Sequence, residues 1–314
     1  MNNEINTNFD PAGSVVDLSL LSQEEILELE KLCRRRKRRH IVQIGRAALR
    51  GEPVREAEVW QMIMSISKSR RISWREKAIS CMLLGVTRLT ASQQAEVAQE
   101  LIHVLTNRDI VKRGILAVLS IIMYQPIFIP LMIINERHRN LARSSAARSM
   151  GRLRLIGGVG ALAGGLFEKT SPGSKGVARS CEQTLPVLLA ELTPSHYGLL
   201  SAVATGNLCK AIGHSNEALV LAALNALEKV GGGGTVDAVT AVANGHPSHE
   251  VRERAQSILP VLLARQRREN EGRVLLRASD AADSPEQTLL RAAQGNTESD
   301  PAVLLRSSNS GGNP

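Results

Sequence analysis

The string LPVLLA occurs twice, as Leu185–Ala190 and as Leu259–Ala264, 74 residues apart. The flanks agree: VARSCEQTLPVLLA (Val177–Ala190) aligns with VRERAQSILPVLLA (Val251–Ala264). An internal repeat constrains a fold more than local propensity does, because each copy must form the same supersecondary unit and bury the same face.

A period of 74 residues is too long for one helical unit and suits two helix pairs. Half-period copies follow one pattern: an apolar or basic start, a small residue three or four positions on, then apolar residues at helical spacing. The pattern appears in REKAISCMLLGV, VKRGILAVLSI, ARSSAARSMGRL, VARSCEQTLPVL, LVLAALNALEKV and VRERAQSILPVL. The small residues are Ala78, Gly114, Ala146, Cys181, Ala222 and Ala255, spaced by 36, 32, 35, 41 and 33. Small side chains there let a neighbouring helix approach, and the Leu, Ile and Val that follow form one apolar stripe. One helix pair cannot bury such a stripe, whereas stacked pairs bury it against each other. Second helices fall between, at Ser92–Leu105, Ile156–Phe167 and Thr235–Ala243. Gly231–Gly234 is the plainest break, since four glycines cannot hold a helix interior.

This pattern resembles HEAT repeats, and more narrowly the short bacterial type of phycobilisome-lyase-like HEAT proteins. The residues carrying the resemblance are Val251, Arg252, Ala255, Ile258 and Leu259, and Leu219–Val230 with the glycines after it. It covers roughly 75–265 and is clearest from about 140 onward. It implies a right-handed superhelix of antiparallel helix pairs with a concave face that binds protein, and it implies no reaction. The expected fold is therefore all-α, a right-handed α-solenoid of about six HEAT-like pairs over 75–267.

Composition agrees. Aromatic residues are 2% of 314, fewer than a compact enzyme of this size places around a pocket, and a solenoid needs only Leu, Ala, Val and Ile between its helices. The four cysteines, Cys33, Cys81, Cys181 and Cys209, form no CxxC pair, and three sit on apolar stripes as small buried hydrophobes. The first 20 residues lack the apolar run of a secretory signal. The chain reads as cytoplasm-facing, not secreted, with reduced thiols.

The net charge of +9 is local, because the run Arg34, Arg35, Arg36, Lys37, Arg38, Arg39 supplies six positive charges. These six residues are the candidates for meeting anionic lipid. The run belongs to an N-terminal helical region, 21–70, preceded by a polar, disordered 1–20. Ser22 with Glu25 reads as a capping box, and Leu21 and Ile26 as its apolar staple. The run suits the helix dipole if the helix ends near His40, and becomes a solvated helical face if it continues to Leu49. At the other end, 268–314 is rich in Ser, Asp, Asn, Gly and Ala and is expected to be disordered. Inside it recur VLLRASD, TLLRAAQ and VLLRSSN. Leu275, Leu276 and Arg277, Leu289, Leu290 and Arg291, and Leu304, Leu305 and Arg306 read as three copies of a docking motif, for a partner or for the chain itself.

Gly114–Asn135 holds 22 uncharged residues flanked by Lys112, Arg113, Arg137 and Arg139. Three readings fit: a proline-kinked spanning helix, a re-entrant hairpin turning at Gln125-Pro126, or a buried repeat pair whose second helix is Ile127–Asn135. The lack of a polar face favours the membrane, and the match of VKRGILAVL to the repeat start favours the buried pair.

No phosphate-binding loop, catalytic triad or paired carboxylates can be argued from spacing. The Gly157–Gly165 run reads as a close-packing face, with Gly157, Gly160 and Gly164 letting helices touch. His246 with His249, and His196 with Tyr197, read as turn and cap residues. The leading function is a non-catalytic scaffold binding protein on its concave face; a membrane is a further partner if 114–135 inserts, with the basic run 34–39 meeting its anionic lipid. The alternative is a HEAT-like lyase or isomerase, or its subunit, acting on a chromophore or protein through Cys181, His196, Tyr197 or Cys209. Nucleic acid is disfavoured, because the basic charge lies outside the repeats and stacking aromatics are scarce. No cofactor is expected.

Overall fold

The computed structural model describes residues 16–34, 40–67, 73–106, 128–167 and 174–280. The chain divides into two compact units, 1–266 and 267–314, and the packing described here belongs to the first. The fold is all-α. Among the described residues there are twelve α-helices, and the only β-type pairing is one isolated antiparallel bridge between Val16 and Thr87.

The helices are α1 (Gln23–Cys33), α2 (His40–Leu49), α3 (Glu56–Ser67), α4 (Trp74–Leu84), α5 (Ala91–Thr106) and α6 (Phe128–Arg152). They continue as α7 (Val159–Gly165), α8 (Ser174–Ala190), α9 (Ala202–Ala211), α10 (Glu217–Val230), α11 (Val236–Gly245) and α12 (His249–Asp280). Several starts are written locally in the sequence. Ser22 with Glu25, Ser73 with Glu76, and Thr90 with Gln93 exchange reciprocal bonds between side chain and backbone N–H, which satisfies donors that have no partner in a first helical turn. Ser201 and Asn216 accept from Ala204 and Leu219 and cap α9 and α10.

The helices form two rows. In one, α4 packs on α6, α6 on α8 and α8 on α10, and side chains of α12 reach α10. In the other, α3 packs on α5, α5 on α7, α7 on α9 and α9 on α11. α4, α6, α8 and α10 each also touch the helix that precedes them in the chain, across the rows, and α1 and α2 close on α4. One apolar core runs through all of it, from Val16 to Leu262.

The predicted small residues Ala78, Ala146, Cys181 and Ala255 are all fully buried, on α4, α6, α8 and α12. Ala222 is a correction: it is half-buried, and its neighbour Ala223 takes the buried position. The stripe of α10 contains Leu219, Val220, Ala223, Leu224 and Leu227, so a start-to-small spacing copied from the other units lands one residue early. Gly114 lies outside the described residues, and α4 packs directly on α6. Ile127–Asn135 is not a separate second helix: residues from Phe128 on are the first turns of α6, which continues to Arg152. Among the described residues no helix is long and apolar enough to cross a membrane.

The first helix also ends earlier than expected. It stops at Cys33, and α2 starts at His40. The Arg46 guanidinium of α2 donates from Nε and Nη2 to the Cys33 carbonyl, at 2.9 and 2.7 Å, and so caps that end. The basic run therefore lies between two helices. Arg34 is exposed, and 35–39 fall outside the described residues.

Candidate interaction surfaces

The arginine at the end of α1 is one of a set. Arg143 of α6 donates from Nε to the Leu105 carbonyl near the end of α5, at 2.7 Å, and is 1% exposed. Arg252 of α12 donates to the His246 and Pro247 carbonyls after α11. Arg265 donates to the Gly231 carbonyl after α10, at 3.0 Å. Carbonyls at a helix C-terminus have no partner within the helix and carry the negative end of its dipole, so a guanidinium is a favourable cap. Arg143 and Arg252 each precede a buried small residue, Ala146 or Ala255, by three positions. That spacing was the available signal for their role, and only the "basic start" of the pattern pointed to it.

Around α1, α4 and α6 the interior is charged. Glu25 is 2% exposed and lies 3.0 Å from Arg148 Nε, with Arg152 on its other oxygen. Burial pushes the Glu25 carboxyl up, but the Ser22 N–H, Arg152 and Arg148 outweigh it and hold it below its ordinary value. Burial is the largest influence on Arg148, and its pKa is lowered. Lys77 lies over the Trp74 ring at 4.3 Å, with Arg139 at 6.0 Å. Beside them a cleft of about 260 Å³ is lined by Glu28, Lys31, Arg75, Arg137 and His138 with Leu32, Ile134 and Leu141. Glu28 lies 3.2 Å from Lys31 and 4.0 Å from Arg137, so the rim is partly neutralised.

The residues nominated for lyase chemistry do not form a site. Cys181 is fully buried at the α7–α8 contact, where a side chain on Gly165 would meet its Sγ at 2.6 Å. His196 Nδ1 accepts from the Thr193 N–H at 3.0 Å, a cap role as expected. Arg265 lies over the Tyr197 ring at 5.3 Å. Burial pushes the half-buried Cys209 thiol up, which disfavours the thiolate. Cys33 and Cys81 are pushed further, to about 11 and about 12, by burial. His246 Nδ1 accepts from the Ser248 N–H, and exposed His249 lies 3.8 Å from Glu253. Among the described residues no three His, Cys, Asp or Glu side chains are grouped to hold a metal ion. Of the glycines expected at a helix contact, Gly160 faces Ala204 and Gly164 faces Asn207, whereas Gly157 has open space beside it.

Exposed apolar groups are spread along the described residues, from Leu20, Leu27 and Met64 to the C-terminal helices. Leu199, 74% exposed, stands with Tyr197 on the segment joining α8 to α9, and Val203, also 74% exposed, lies in the first turn of α9. Val261 and Leu263 are exposed on α12. A surface groove of about 440 Å³ separates α10 from α12, lined by Leu221, Asn225, Glu250, Glu253, Arg254 and Ser257. Arg254 spans it, donating to Asn225 Oδ1 at 2.6 Å and pairing with Glu228. Of the three tail motifs, Leu275, Leu276 and Arg277 fall within α12, while Leu289–Arg291 and Leu304–Arg306 lie outside the described residues. No family model, no curated protein and no solved structure matches this chain.

Proposed function

We propose that this chain is a non-catalytic scaffold, an α-solenoid of HEAT-like pairs that binds a protein on its concave face. The observation that carries the reading is that the helices from α3 to α11 pack on near neighbours in two rows, which is how repeat proteins bury stripes that no single pair could cover. The scatter of Cys181, His196, Tyr197 and Cys209 into core, cap and surface contacts supports it against the lyase alternative. The test is co-purification of the full chain from its native cells. A stoichiometric protein partner should persist when Cys181→Ser, His196→Ala, Tyr197→Phe and Cys209→Ser are introduced one at a time. Turnover of a bilin-type chromophore that vanishes with one of these four variants would replace the scaffold by the enzyme.

Attachment to a membrane is a second reading. It is favoured by the basic cleft residues Lys31, Arg75, Arg137 and His138 standing beside Ile134, where α6 carries the end of the apolar stretch. The segment 114–127, on which insertion depends, lies outside the described residues. Retention of the chain in the pellet after a carbonate wash would support insertion, and wild-type protein in the high-speed supernatant would exclude it.

A further inference from the structure

The two LPVLLA copies are identical in sequence and differ in burial on one side only. Leu188 in α8 and its match Leu262 in α12 are both fully buried, and Val187 and Val261 both face outward at 48% and 37% exposure. Leu189 is 2% exposed whereas its match Leu263 is 40% exposed, and fully buried Leu185 corresponds to the half-buried Leu259.

The side on which they agree meets the preceding helix of the row. On α8, Ser180 bonds Ser144 and Thr184 lies against Gly151, both on α6. On α12, Arg254, at the position of Ser180, bonds Asn225 of α10, and Leu262 lies against Gly231. The side on which they differ meets the next helix. On α8, Glu182 accepts from Asn216 Nδ2, the N-cap of α10, at 2.6 Å. Leu185 and Leu189 lie three and seven positions beyond Glu182, on the same helix face. On α12 that face is Gln256, Leu259 and Leu263, and no described element follows α12 in the row. α12 turns out the two leucines that its twin buries.

We infer that this face of α12 receives an amphipathic helix from a partner protein, in the place that α10 occupies on α8. The chemistry of the occupant follows from α10. Its first turn offers a side-chain donor such as Asn or Ser to Gln256 Oε1, as Asn216 does to Glu182. An aliphatic stripe at three- and four-residue spacing, like Leu219, Ala223 and Leu227, then covers Leu259 and Leu263. The inference rests on the scaffold reading and names the kind of partner it would take.

The test uses the full chain and a fluorescein-labelled peptide of this chain's own residues Asn216–Gly231, which supplies that chemistry. Anisotropy should show saturable binding, weakened about tenfold or more by Leu259→Glu with Leu263→Glu. Both residues are partly exposed, so the double variant should keep the wild-type melting temperature and circular dichroism. Absence of saturable binding to wild type, or equal binding by the double variant, would overturn the inference. A concentration-dependent dimer abolished by the same double variant would also overturn it, by giving the face to a second copy. A scaffold that still co-purifies with a partner while the peptide fails to bind would sink this site alone.

Discussion

The contacts among α1, α4, α5 and α6 and those among α8, α10 and α12 share one apolar core but differ in the charge they bury. In the first set, Glu25, Arg75, Glu76, Lys77, Arg139 and Arg143 are buried, and the Ser149 hydroxyl donates to the Cys81 carbonyl at 2.6 Å. Gly85 leaves the room that Ser149 occupies. In the second, the buried residues are Leu, Val, Ile, Ala and Cys with a few serines and threonines, and no described residue beyond Arg143 is a buried charge. The first set adds to its apolar core directional bonds that require particular partners, whereas the second relies mainly on apolar area that tolerates exchange. The difference teaches that one architecture can be reached by two kinds of interior, which respond to different perturbations.

The largest expected effect is at Glu25. Removing one member of a buried ion cluster leaves the others without their counter-charge, so Glu25→Ala should cost about 3–5 kcal/mol. The pH response follows from the same group. Its folded pKa lies below the ordinary 4.5, so the stabilisation is present above that value and is lost as pH falls through the folded pKa. Hydrogen exchange along an acid series should therefore open 22–33 and 139–152 before 219–262. Simultaneous opening of both, or an acid sensitivity of 22–33 that is unchanged in Glu25→Ala, would erase the contrast between the two interiors.

Arg143 comes next. Its Nε–H to the Leu105 carbonyl is a buried, charge-assisted bond. Arg143→Ala should cost about 1.5–3 kcal/mol by chemical denaturation. A cost near zero would show that the end of α5 has no need of this cap.

These two residues also mark the limit of what the sequence discloses. The α10 and α12 stripes are legible because aliphatic residues recur at helical spacing, and the capping box at Ser22 is legible because its partners lie three residues apart. The interior of α4 is not: Trp74–Leu84 is buried along its whole length, charges included, so it shows no polar face to set the register. Glu25 reads as a cap residue in sequence, and its partners Arg148 and Arg152 lie more than a hundred positions away. The bare face of α12 could not be read at all, since its sequence is that of a buried helix. The segment 202–211, AVATGNLCKA, has no aliphatic stripe, which leaves α9 without a periodic signal.

Among apolar contacts the expected effects are smaller. Ala255 is fully buried and Gly160 sits against Ala204 of α9. Ala255→Leu and Gly160→Ala should each cost roughly 1–3 kcal/mol by overpacking. Unlike Glu25→Ala, neither should change the acid sensitivity of 22–33. A melting temperature equal to wild type in Ala255→Leu would remove that residue from the interface and break the repeat register.

The smallest effect is expected at Arg252, and it sharpens the comparison most directly. Arg252 stands in the register of Arg143, three positions before a buried small residue, and caps a preceding helix in the same way. Arg252, however, is only half-buried, and its second bond, to the Pro247 carbonyl, is exposed. Water can take its place on those carbonyls, whereas around Leu105, which is 1% exposed, replacement by water is restricted. Arg252→Ala should therefore cost about 0.5–1 kcal/mol, below the value for Arg143→Ala under the same conditions. Equal costs would mean that the two arginines act through something other than burial of the carbonyl they cap. A larger cost at Arg252 would reverse the assignment of the directional bonds to the α1–α6 side of the molecule.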